Sequence, residues 1–198
     1  MVLGYARARL RALGRLCRRL RDCAQDERAS VAVEAALVAP VLVLLFVGAA
    51  ELGWLYLARL KTERAAAAVA DLAARAGELR EADIRDVFRA AAGVLEPLDL
   101  FRDGRAFLSN VVNTTGLPVI RWQRASAPGL ATTSRIGSQG GPAALAGGPA
   151  LRLGEEVVVG EAELAVRPLL GILVRAPARY YARAVQRPRF GTVIFVPG

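Results

Sequence analysis

Two carboxylates, Glu34 and Glu51, flank the most apolar stretch of the chain. Between them, residues 35–50 read AALVAPVLVLLFVGAA, sixteen residues with no charge and no strong polar group. An ionised acid at the centre of a membrane helix costs at least ~2.5 kcal/mol and less near an end, so such residues usually have a partner. Glu34 therefore has two readings, a carboxylate neutralised by a cation on an adjacent helix and a solvated carboxylate at headgroup level. Glu51 likewise reads as a helix–helix contact or as an acid at the outer interface.

Other chemistry is thin. The chain contains no histidine, which removes Ser-His-Asp, Cys-His and His-metal sites. Its two cysteines, Cys17 and Cys23, lie close together near the start and support neither a zinc site nor a disulfide framework. Glu155, Glu156, Glu161 and Glu163 cluster on one candidate strand; Glu155, Glu161 and Glu163 share a parity and are expected to face water. One strand offers too few converging oxygens for calcium. Gly137-Ser138-Gln139-Gly140-Gly141 lacks the lysine and the strand-to-helix setting of a phosphate loop, and Asn113-Thr114-Thr115 is a sequon by pattern alone. Ala35 and Ala39 form a small-xxx-small pair suited to close helix packing. No catalytic, cofactor or metal site is expected, and the chain does not read as an enzyme.

The elements that would position the two acids follow from charge and hydropathy. The chain has 198 residues, a net charge of +9 and 54% hydrophobic residues. Residues 1–29 hold eight arginines against Asp22, Asp26 and Glu27, so over half of the excess charge lies in this short arm. Val31 to about Gly53 is long enough to span a bilayer core, which needs about 20 apolar residues, and Trp54 and Tyr56 fall where an aromatic belt would lie. The arm then reads as a positive-inside signal, with the N-terminus cytoplasmic and the C-terminal part extracytoplasmic; a nucleic-acid partner is not expected. The rival reading is a secretory signal cut before Glu51, with Gly48 and Ala50 as its small residues. Thr62–Ala76 continues with strong helix formers up to Gly77, which predicts one helix over Val31–Ala76 with a kink at Pro40.

Ile84, Val87, Phe88 and Ala91 recur at helical spacing and predict a second helix over Glu81–Ala92, capped by Gly93 and stopped by Pro97. Period-two patterning follows. Arg105–Thr114 and Leu117–Arg124 predict a hairpin, Glu155–Arg167 a strand with a bulge at Gly160, and Thr192–Val196 a short strand. Ala125–Pro149 reads as a mobile loop with a short strand at Ala131–Ile136, and 169–187 fits a short helix or an irregular connection. The expected fold is α+β: a transmembrane helix that continues into a long extracytoplasmic helix, packed on a small antiparallel sheet. The expected organisation is a basic arm over 1–29, the helix over 30–76 and an α+β domain over 77–198.

A basic arm, a small residue, then an apolar helix with glutamate at the fifth position is the plan of type IV prepilins. Here it reads Arg28-Ala29-Ser30-Val31-Ala32-Val33-Glu34. With Val33-Glu34, Ala36-Leu37-Val38, Pro40 and Glu51-Leu52-Gly53, the segment 30–57 resembles TadE-like pseudopilins of the Tad/Flp pilus system. The tail, with Arg167-Pro168 and Arg187-Pro188-Arg189, is a weaker likeness. The resemblance implies cleavage between Ala29 and Ser30 by a prepilin peptidase, although Ala29 stands where these peptidases favour glycine. Ala35 stands where Flp-type pilins usually carry an aromatic residue. It further implies that the new Ser30 amine neutralises Glu34 and sets subunit register. Glu51 would serve helix packing, and the partners would be other pilins or pseudopilins, Tad assembly proteins of the inner membrane and membrane lipid. The alternative is a single-pass, membrane-anchored periplasmic binding protein unconnected with a pilus.

Overall fold

The computed structural model describes residues 27–145, 147–148, 150–171 and 174–197. The expectations for the first 26 residues, including Cys17 and Cys23, lie outside these. The chain divides between Ala50 and Glu51 into two compact units. One helix, α1 (Glu27–Ala74, 48 residues), runs through both without interruption, including at Pro40, which lacks the N–H that would bond back to Ala36.

In the first unit α1 is apolar and its side chains from Val31 to Phe46 are exposed. This part meets the length and hydropathy needed to cross a membrane.

The second unit begins with the rest of α1 and continues with β1 (Glu78–Arg80), α2 (Glu81–Leu95), α3 (Leu100–Asp103), β2 (Gly104–Asn113), β3 (Pro118–Ala125), β4 (Glu156–Val166), β5 (Ala178–Gln186) and β6 (Ile194–Val196). The antiparallel sheet has the order β3-β2-β4-β5, and β1 pairs with β6 in a separate parallel ribbon. The α+β class and the long helix packed on a small antiparallel sheet match expectation.

Helix α2 places Ile84, Val87, Phe88 and Ala91 in the core, as its spacing predicts, and Asp83 caps its start by accepting from the Arg80 N–H at 2.8 Å. It runs past Gly93 to Leu95. Gly93 is no cap, because it lies inside the helix and lacks the positive φ of a capping glycine; Glu96 and Pro97 end the helix instead.

The sheet is covered on both faces. Ala106, Leu108, Val158, Ala162, Leu164 and Ala182 face the helices. Against them lies a stripe of small residues from α1, Ala58, Ala65, Ala66, Val69 and Ala73, all with no exposure. Small side chains bring helix and strand backbones close, and Gly160 is the point of closest approach. A Cβ there would lie 2.7 Å from the Ala70 nitrogen, with the Ala66 carbonyl oxygen in still closer conflict. The β2–β4 and β4–β5 registers run through Gly160 without a break, so the expected bulge is absent there. The irregularity falls instead between β2 and β3 at Asn110/Val111.

On the other face the segment between β3 and β4 forms a lid. Ile136 inserts fully among Val111, Ile120, Val157 and Val159, with Leu145 and Leu151 packed around it. The expected strand at Ala131–Ile136 is irregular chain that follows side-chain anchors rather than a ladder. The segment 169–187, read as a helix or connection, contributes β5, the fourth strand.

Candidate functional site

Two regions draw together the residues singled out from the sequence. The first is the apolar surface of α1. Glu34 is exposed there, and Leu37, Val38, Val41 and Leu45, which follow at helical spacing, are exposed too. A carboxylate on an otherwise apolar face gains most from a cation brought by another helix or by lipid. Ala29 and Ser30 belong to the first turn of the same helix, one turn before Glu34.

The second region lies where the sheet-bearing unit begins. Glu51 is completely buried there, and its carboxylate accepts a hydrogen bond from the Gly171 N–H at 2.8 Å. One turn further, the Trp54 indole N–H donates to the Arg167 carbonyl at 3.2 Å. These bonds join α1 to both ends of the short segment that follows β4. Beside them opens a cleft of about 550 Å³ lined by Trp54, Asp99, Arg102, Asp103 and Arg167 among others. Its Arg102 is already paired with Asp103 at 2.7 Å. Glu34 and Glu51 thus have different surroundings: one is open on the helix, the other enclosed by its own chain.

The acidic strand departs from expectation. Glu161 and Glu163 do share a face, but that face lies under the lid, and both are buried. Glu161 accepts from the Ser134 hydroxyl, from the Arg135 N–H at 2.9 Å and from the Tyr181 hydroxyl at 2.8 Å. Glu163 accepts from Thr132 at 2.9 Å and pairs with Arg135 at 3.2 Å. Burial, together with the Glu161 carboxylate, pushes the Tyr181 hydroxyl well above its ordinary range, so it stays a donor. Glu156, of the opposite parity, is buried too and accepts from Asn110, Arg121, Thr192 and the Val193 N–H. A charge can be buried at tolerable cost when each lone pair finds a donor. These three acids fasten the lid and the C-terminal segment to the sheet. The sequence signal was present in a long segment rich in small and polar residues that precedes an acidic strand.

Among the described residues no group of three or more histidines, cysteines or acids is placed to hold a metal ion. Residues 29–71 match the family model described as TadE-like protein. No curated protein and no solved structure matches the chain.

Proposed function

We propose that the chain is a minor pseudopilin or membrane-anchored assembly component of a Tad/Flp-type pilus, acting by helix packing and through its extracytoplasmic domain. The observation that carries this reading is the TadE-like match over 29–71, which coincides with the apolar, exposed part of α1 and the turns that follow it. In this reading the apolar segment parks the subunit in the inner membrane and the basic arm keeps the N-terminus in the cytoplasm. Other pilins or pseudopilins and Tad assembly proteins then gather around the exposed helix.

Cleavage between Ala29 and Ser30 would create a cation four residues from Glu34, one helical turn away. That amine, or a neighbour's, neutralises Glu34 and fixes the axial register between subunits, with Pro40 loosening the helix nearby and Glu51 bounding the packed segment. The mature N-terminus tests this, by intact mass of the protein recovered from its own cell. A chain starting at Ser30 supports the pseudopilin; one starting at Met1 supports an uncleaved anchor; one starting at Glu51 would be a secreted protein and would overturn the membrane reading. Glu34→Ala is expected to reduce piliation while leaving membrane insertion intact, and normal piliation would remove Glu34 from the mechanism.

A further inference from the structure

The segment after β4 carries two leucines whose exposure nothing in the fold explains. Leu169 and Leu170 are each 55% exposed, although the second unit has apolar cores on both faces of its sheet. They are not on a free-hanging loop. The Arg167 carbonyl before them is held by Trp54, and the Gly171 N–H after them is held by the buried carboxylate of Glu51. A fully buried acid thus holds the backbone beside two apolar side chains that stand in the open.

The position of those anchors indicates what covers the leucines. Glu51 follows Ala50 directly, and Ala50 ends the uncharged stretch of α1. A bilayer core takes about 20 helical residues, which Val31–Ala50 supplies, so Glu51 stands at its edge. Gly171, the residue after the leucines, is hydrogen-bonded to Glu51 at that edge. Trp54 and the exposed Tyr56 follow within two turns and have the amphipathic character of interfacial anchors. Exposed Arg167 and Arg175 bracket the segment with positive charge, which suits phosphate headgroups and lets their stems lie along acyl chains.

We propose that Leu169 and Leu170 form a second membrane contact, seated in the outer interfacial zone of the bilayer that α1 crosses. A second apolar point, held by Glu51 and Trp54, adds to the hold of the helix and selects which face of the domain looks toward the lipid. Glu51 is then a positioning residue for this contact. The inference rests on the reading of α1 as membrane-spanning.

The test uses the full chain in phosphatidylcholine–phosphatidylglycerol proteoliposomes, with Cys17 and Cys23 replaced by serine. Single spin labels are placed through Leu45→Cys, Leu170→Cys and Leu117→Cys, and collision with oxygen is compared with collision with a water-soluble nickel chelate. Leu45 lies in the apolar stretch; Leu117 is exposed in the β2–β3 turn, at the far end of β2 from Gly104. The expected result is several-fold preference for oxygen at 45 and 170, reversed at 117, with the value at 170 unchanged when the protein is diluted in lipid. An aqueous label at 170 beside a lipid-exposed label at 45 would overturn the second contact and leave the spanning helix standing. An aqueous label at 45 would overturn the spanning helix and this inference with it. A signal at 170 that disappears on dilution would assign the leucines to a second copy of the chain and likewise overturn the lipid contact.

Discussion

Replacing Gly160 by alanine tests whether helix α1 and strand β4 touch through their backbones. In an ordinary strand this change is favourable by ~0.5–1 kcal/mol, because glycine loses more conformational freedom on folding. Here the new methyl would lie 2.7 Å from the Ala70 nitrogen and 3.1 Å from the Ala70 Cβ, with the Ala66 carbonyl oxygen closer still. Two of these three atoms belong to the helix backbone, which cannot rotate aside as a side-chain tip can. Overpacking of this kind costs about 1–3 kcal/mol, and rigid neighbours favour the upper end. After the intrinsic gain is subtracted, a net loss of roughly 2 kcal/mol remains. For a chain of this size that corresponds to a fall of roughly 4–8 °C in melting temperature. The assay is thermal unfolding of the detergent-solubilised full chain, followed by the circular dichroism of the sheet. Gly93→Ala calibrates it: a methyl there meets nothing within 4 Å, so helix propensity alone should raise stability by up to ~1 kcal/mol. An unchanged or higher melting temperature for Gly160→Ala would refute the backbone contact and the role assigned to the alanine stripe.

The remaining predictions concern the lid. Glu161→Leu strands the donors of Ser134, Arg135 and Tyr181, at ~1–3 kcal/mol for each buried group left unpaired, and should open residues 126–155 to protease well before the rest of the chain; a cleavage pattern like that of the parent chain would count against the lid being held there. Tyr181 retains its proton in the folded state past pH 10, near which an unfolded tyrosine ionises. Above that pH the unfolded chain therefore binds fewer protons, so this contribution is complete below pH 10 and fades as pH rises further. Urea midpoints measured across this range should fall more steeply for the parent than for Tyr181→Phe, and parallel curves would refute the assignment.

Legibility in the sequence followed the kind of contact each residue makes. Helix α2 could be read because its apolar stripe faces a single core, and β2, β3 and β4 because they are short runs rich in β-branched and aromatic residues. Strand β5 was harder: Ala178, Tyr180, Ala182 and Ala184 supply its inward positions, and alanine, which dominates them, is a helix former. Gly160 was visible as an anomaly, but its cause lies about ninety residues away in α1, beyond the reach of local pattern. The lid defeated composition altogether. Its order comes from Ile136 and from hydrogen bonds to Glu161 and Glu163, while its glycines and serines are those of any loose connection. The same acids were expected to face water because charge normally marks a solvent face; under a lid with matching donors it marks the opposite.

The parallel ribbon of β1 and β6 bears on how the domain comes into being. Residues 78–80 and 194–196 form adjacent strands. Arg189 donates its N–H to the Ala74 carbonyl at 2.9 Å. Thr192 and Val193 complete the donors around buried Glu156. Each of these bonds waits for residues 189–196, so they form a clasp that closes after the other described strands are in place. In the proposed topology the domain is threaded across the membrane from α1 onward. Until residues 192–196 have crossed, Glu156 lacks two of its donors and β1 has no strand beside it. Closure of the domain therefore waits on residues 189–196, and a chain stalled short of them leaves β1 with an open edge and Glu156 without two of its donors.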